Sequence, residues 1–195
     1  MDTYTYDLGR AVYVNLTNQC TNDCSFCVRQ KGTGVGPYEL WLEREPEASE
    51  IISELEQTQP ASVVFCGFGE PTMRLGTMLE VARYVKGYGG RTRLDTNGHG
   101  SLYNGRDIVP ELAGLIDEVS ISLNEASARA YQDLCASRYG ERSWEALQDF
   151  ARKARDAGIG VTLSVVDLIG EQKVEQCRKI AEDMGVRFRA RCYVP

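Results

Sequence analysis

The sequence predicts an α/β fold built on a parallel sheet, and three observations predict it. Six short β-like runs, residues 11–17, 62–66, 92–96, 118–124, 160–166 and 187–193, recur along the 195 residues. Between them lie stretches whose apolar residues repeat at i, i+3, i+4 and i+7, the period of a helix buried on one face. Glycines stand where several of those stretches stop, as expected of helix C-termini. Strands alternating with helices through right-handed crossovers build a parallel sheet. Periodicity alone fits an open doubly wound sheet and a curved barrel equally well.

Each element has its own signal. The first strand carries Val12, Val14 and Leu16 on one face and Tyr13, Asn15 and Thr17 on the other. Ala48, Ile51, Ile52 and Leu55 form the first helical stripe, with Pro46 near its start. Leu75, Met78, Leu79, Ala82 and Val85 form the second, ending at Gly87. Val109, Leu112 and Ile116 predict a shorter helix. Trp144, Leu147, Ala151 and Ala154 mark the fourth, stopped by Gly158, and Val174, Cys177, Ala181 and Met184 the fifth, stopped by Gly185. The Gly-rich stretch 31–37 reads as a surface loop.

Strand alternation carries a functional message. Parallel strands covered on both faces normally read as continuous apolar runs. Here Ser120, Ser122 and Asn124 share one face of the fourth strand, opposite Val119, Ile121 and Leu123. Arg187, Arg189, Arg191 and Tyr193 share one face of the sixth, opposite Phe188, Ala190, Cys192 and Val194. A polar inner face predicts a wet reaction chamber, where a closed eight-stranded barrel would be packed with aliphatics.

Composition narrows the class. The length suits one domain spanning residues 1–195. No stretch approaches the ~20 apolar residues of a membrane span. The formal net charge of -6 gives no electrostatic footprint for nucleic acid. Seven cysteines, an odd number, and no apolar opening segment argue against a disulfide framework and predict a reducing, cytoplasmic setting.

Three of those cysteines form the sequence Cys20-Thr-Asn-Asp-Cys24-Ser-Phe-Cys27, directly after the first strand. Three thiolates on one loop can hold three irons of a cubane cluster and leave the fourth open to chemistry. A zinc site completed by Cys66 is the alternative, although structural zinc sites usually pair two C-x2-C halves. The C-x3-C-x2-C spacing with an aromatic residue before the last cysteine resembles the signature of the radical S-adenosylmethionine (SAM) superfamily. That resemblance implies a partial (β/α)6 TIM-type barrel, reduced here to a minimal core. It also implies a [4Fe-4S] cluster on Cys20, Cys24 and Cys27.

Further motifs fall at strand C-termini, where α/β sites collect. Cys66-Gly67-Phe68-Gly69-Glu70-Pro71-Thr72 resembles the family's glycine-rich G-x-x-E-P element, which implies that Gly67, Gly69 and Glu70 meet the SAM ammonium. Asp95-Thr96-Asn97-Gly98 resembles its T-N-G element, implying that Thr96 and Asn97 hold the SAM carboxylate. By the same likeness, Ser122, Asn124 and Ser164 reach the cofactor and Phe26 packs near its adenine. Arg189 and Arg191 are expected to meet a carboxylate or phosphate, in SAM or in a substrate. His99 is the single histidine, beside these motifs.

The activity implied is reductive cleavage of SAM at the cluster to a 5′-deoxyadenosyl radical, which abstracts hydrogen from a substrate. The opening Tyr6-Asp7-Leu8-Gly9-Arg10, the Asn15-Leu16-Thr17-Asn18 approach and the Arg-x-Arg end resemble the TatD-associated radical SAM proteins. Alternatives are a glycyl-radical-enzyme activating enzyme, which shares the Gly-Glu-Pro and Asp-Thr-Asn-Gly elements, a deazapurine-forming type of enzyme, and a non-catalytic iron–sulfur carrier or sensor. The expected partners are an electron donor such as flavodoxin or ferredoxin and, because a short barrel leaves its lumen open, a macromolecular substrate or a second copy of the chain.

Overall fold

The computed structural model describes residues 2–193. Its main sheet has seven strands in the order β1-β2-β5-β6-β7-β8-β9. They are β1 (Thr5–Leu8), β2 (Ala11–Val14), β5 (Ser62–Phe65), β6 (Arg91–Thr96), β7 (Glu118–Ser122), β8 (Gly160–Val166) and β9 (Arg187–Arg191). From β2 to β9 every neighbouring pair is parallel, as the alternating pattern requires. The crossovers carry α1 (Ala48–Glu56), α2 (Leu75–Gly87), α3 (Gly100–Asn104), α4 (Val109–Leu112), α5 (Ala128–Cys135), α6 (Arg142–Asp156) and α7 (Glu171–Met184).

Sheet alternation positions everything else. Val119, Ile121, Leu163 and Val165 are buried among helix residues such as Leu147, Ala151, Cys177 and Ala181. Each such side chain contributes roughly 1.5–3 kcal/mol by leaving water. With that face committed, Ser120, Ser122 and Ser164 must point the other way, into the concave side. Parallel register keeps them level, with Asp95 beside Ser120 and Ser122 beside Ser164.

The structure departs from expectation in several places. An additional strand, β1, turns at Gly9 (φ +72°) and pairs antiparallel with β2, so the sheet has seven strands instead of six. β2 ends at Val14, one residue before Asn15, whose backbone N–H still donates to Tyr4 O at 2.8 Å and whose side-chain amide donates to Leu40 O at 2.8 Å. The stretch 31–37 is not all loop: β3 (Gly34–Val35) pairs with β4 (Tyr38–Glu39) in a short ribbon. The helix marked by Val109 ends at Leu112, and α3 and α5 were not anticipated. α5 starts at Ser127, whose hydroxyl accepts from Ala130 N, and stops at Ala136 in the left-handed region. Val194 lies outside the described residues.

Candidate active site

The concave side of the sheet holds a chamber of about 390 Å³ at the C-terminal ends of its strands. Every residue expected to hold cluster or cofactor lines it: Cys20, Cys24, Phe26 and Cys27 from the loop after β2, and Gly67, Gly69 and Glu70 after β5. Thr96 and Asn97 come from β6, Ser122 and Asn124 from β7, Ser164 from β8, and Arg189 and Arg191 from β9. The polar face expected of the first strand does not take part. Asn15 and Thr17 are buried behind the wall, Thr17 donating to Glu45 at 2.5 Å, and Tyr13 meets Arg93 Nη2 at 3.2 Å.

The cysteine loop is held from below by α5. Asp23 N donates to Cys135 O at 3.0 Å, Ser25 N to Leu134 O at 3.2 Å, and Arg138 N to Thr21 O at 3.0 Å. Arg29 closes it from the other side, donating to Asn18 O at 2.8 Å and Asn22 O at 3.3 Å, with its charge close to the Cys27 and Cys20 sulfurs. Burial pushes the Cys20 thiol up to about 11. The adjacent Cys135 thiol, then burial, raises that of Cys24. Among the described residues no group of three or more His, Cys, Asp or Glu side chains converges on a single metal ion. Cys20, Cys24 and Cys27 instead all line the one chamber, as ligands to separate corners of a cubane would.

Glu70 organises the neighbouring loops. It is 3% exposed and accepts from Thr72 N (3.2 Å), Thr72 Oγ1 (2.6 Å), Thr96 Oγ1 (2.7 Å) and Asn97 N (2.8 Å). Burial raises its carboxyl above the ordinary carboxylate range, against the pull of those donors. Thus Glu70 ties the Gly-Glu-Pro loop to the Thr-Asn-Gly loop, with Oε1 accepting three of the hydrogen bonds and Oε2 one. It also caps the short 3-10 turn Pro71–Arg74, with Pro71 at the first position. The glycines serve packing as well as access. A Cβ on Gly67 would collide with Asn15 Oδ1, and one on Gly69 with the carbonyls of Thr17 and Gln19.

Asn97 turns toward the cysteine loop. Its amide donates to Thr21 Oγ1 at 2.8 Å and lies 3.7 Å from Cys20 Sγ, while its Oδ1 accepts from His99 N. His99 does not line the chamber. Its ring is fully buried between Thr21 Oγ1 (3.0 Å) and the Tyr131 hydroxyl (3.2 Å), and burial lowers its pKa to about 4. A neutral imidazole in that position buttresses the loop through Thr21.

Several lining residues were missed. Asn22 lies inside the cysteine motif and Asp95 inside the Asp-Thr-Asn-Gly element, while Ser120 lines the chamber as its polar strand face predicted. Cys66, named from the sequence as the completing ligand of an alternative zinc site, faces the chamber, and the exposed Cys192 joins it. Arg29 and Cys135 carried no sequence signal, because their partners are fixed only by the tertiary fold.

Three buried polar atoms on lining residues have no partner among the described residues: Asn22 Oδ1, Asn124 Oδ1 and Arg191 Nε. Buried polar groups are ordinarily satisfied, so these mark a wall that a polar ligand would complete. A sequence model of the Radical SAM superfamily matches residues 14–184. The chain belongs to the radical SAM superfamily. That membership brings its cofactors, SAM and a [4Fe-4S] cluster, and the three lining cysteines with the unpartnered Asn22 and Asn124 oxygens fit them.

Solved structures agree on the fold. Streptococcus suis SuiB bound to S-adenosylmethionine superposes with a TM-score of 0.68 at 16% identity, covering 93% of this chain and 38% of that one. A radical SAM methyltransferase from Sphaerobacter thermophilus matches with a TM-score of 0.62 at 15% identity, over 96% of this chain and 68% of that one. Methylornithine synthase (PylB) gives 0.64 at 14% identity, over 95% and 53%. The chain therefore spans well under half the length of SuiB. A search of curated proteins finds no match. No helix among the described residues is long and apolar enough to cross a membrane.

Proposed function

We propose that this protein is a radical SAM enzyme acting on an organic substrate in the chamber, and that it belongs to the TatD-associated group. The observation that carries the reading is the meeting of Cys20, Cys24 and Cys27 with Ser122, Asn124 and Ser164 around one chamber. An electron carrier needs the cysteines alone. It has no use for a polar wall opposite them.

When bound, the cluster and SAM supply one-electron cleavage of the sulfonium to a 5′-deoxyadenosyl radical. The chain's own residues bind, orient and exclude. Cys20, Cys24 and Cys27 hold the cluster, deprotonated by the metal despite the raised pKa values of Cys20 and Cys24. Gly67 and Gly69 expose backbone to the SAM ammonium, while Thr96 and Asn97, fixed through Glu70, shape the carboxylate end. Ser122, Asn124 and Ser164 offer hydrogen bonds along the opposite wall, and Phe26 offers an apolar face for the adenine. A small electron donor such as flavodoxin or ferredoxin supplies the electron.

The test is anaerobic reconstitution followed by incubation with SAM and reductant. Wild type should yield 5′-deoxyadenosine, and Cys20→Ala, Cys24→Ala and Cys27→Ala should each lose the cluster absorbance and all SAM cleavage. A single-cysteine variant with a normal cluster and normal cleavage would falsify the assignment.

A further inference from the structure

The chamber contains a charge arrangement that the cofactors do not explain. Asp95 is already taken by Arg93, which donates from Nε to Oδ1 at 2.8 Å and from Nη2 to Oδ2 at 3.0 Å. Glu70 is committed to four donors from Thr72, Thr96 and Asn97, three on Oε1 and one on Oε2. Among the described residues these are the two side-chain carboxylates that line the chamber. Arg189 and Arg191 line it too, and neither joins a salt bridge among the described residues. The half-buried Arg191 leaves Nε without a partner. Burial first, and then the neighbouring Arg189 charge, lowers its pKa against the opposing pull of Asp95, whose carboxylate is already paired with Arg93. Arginine stays protonated regardless, so the pair is a standing positive site.

We infer that Arg189 and Arg191 form an anion-binding subsite for a carboxylate or phosphate group of the substrate, distinct from the SAM contacts. This rests on the radical SAM reading of the same chamber. Position supports substrate over SAM. The two arginines lie on β9, outside the residues 14–184 that match the superfamily, whereas every other expected cofactor residue falls inside that range. Charge does so as well. SAM brings an ammonium and a sulfonium against one carboxylate, so it cannot neutralise two guanidiniums. Arg29 hydrogen-bonds the cysteine loop at Asn22 O and its approach at Asn18 O, whereas neither β9 arginine makes such a bond among the described residues. A planar fork with an open Nε suits two-point binding of a carboxylate or phosphate.

The test is calorimetric titration of reconstituted, SAM-saturated protein with inorganic phosphate in one arm and succinate in the other. At least one anion should bind, and the arm that does names the acid group. Arg191→Gln and Arg189→Gln should each weaken it at least about tenfold, with SAM affinity and cluster absorbance unchanged within about twofold. Arg191→Lys, which keeps the charge but loses the fork, should fall between. If neither anion binds wild type, the subsite does not exist. If the glutamine variants instead lose SAM affinity, the arginines serve the SAM carboxylate; if they lose cluster, the arginines balance the cluster's charge. Either result overturns the proposal. Should wild type take neither cluster nor SAM, the functional reading fails separately, and the anion titration of that sample still decides the arginine site.

Discussion

The chamber has two unlike walls. On the cluster side, from the end of β2 to the end of β6, most polar groups are engaged by the protein itself: Glu70 accepts four hydrogen bonds, Asn97 bridges Thr21 and His99, and Arg29 clasps two loop carbonyls, while Asn22 Oδ1 and Arg29 Nε have no partner among the described residues. On the β7–β9 side the polar groups are left open, with Asn124 Oδ1 and Arg191 Nε unpartnered among the described residues and Ser164 reaching only Ile121 O at 3.4 Å. The contrast teaches which wall is organised before ligands arrive. A cluster loop must be stiff to direct three thiolates at once, and internal hydrogen bonds supply that stiffness. A wall that grips cofactor and substrate must keep its donors and acceptors available.

The contrast breaks first at Glu70. Glu70→Ala should destabilise the fold by roughly 4 kcal/mol, because it strands buried donors on Thr72, Thr96 and Asn97 at about 1–3 kcal/mol each, with partial relaxation. Urea denaturation of the cluster-free protein measures it, and cluster reconstitution should fail alongside. A loss below about 1 kcal/mol would mean that the cluster wall is not self-supporting.

The next effect is a pH dependence at His99. The unfolded chain takes up a proton near 6.5, but the buried ring does so only near 4. Between these values the unfolded state binds more protons, so stability is full above 6.5 and falls as pH drops toward 4. His99 should cost the protein about 2 kcal/mol between pH 7.5 and pH 5. Comparing that pH slope with His99→Gln, which lacks the titration, isolates it; equal slopes in both proteins would contradict a buried neutral ring.

The two walls also differ in how far the sequence discloses them. The open wall was legible because strand alternation is local: once Val119 and Ile121 point to the helices, Ser120 and Ser122 can only face inward. The cysteine spacing is local in the same sense. The supporting groups on the cluster wall were not legible, since Arg29 and His99 acquire their partners from segments brought together by folding. α5 escaped notice for a related reason. Its apolar residues Tyr131, Leu134 and Cys135 cover little more than one turn, too short for a period to declare itself. β1 and the β3–β4 ribbon are likewise only four and two residues per strand. Gly67 and Gly69 were read as ligand-approach glycines, and the structure adds a steric need against Asn15, Thr17 and Gln19.

The smallest stability effect should come from the open wall. Ser122 faces the chamber at the end of β7, opposite Ser164 on β8, and the buried neighbours Ile121 and Leu123 carry the packing. Ser122→Ala removes a hydroxyl that no apolar neighbour relies on, so stability should stay within about 0.5 kcal/mol of wild type. SAM affinity should nevertheless fall about threefold to tenfold, the worth of one ordinary hydrogen bond. Thermal denaturation and SAM titration on the same preparation give both numbers. Preserved stability with weakened SAM is what a ligand-facing wall requires. Lost stability with unchanged SAM binding would place Ser122 in the scaffold, and the distinction between the two walls would fail at its centre.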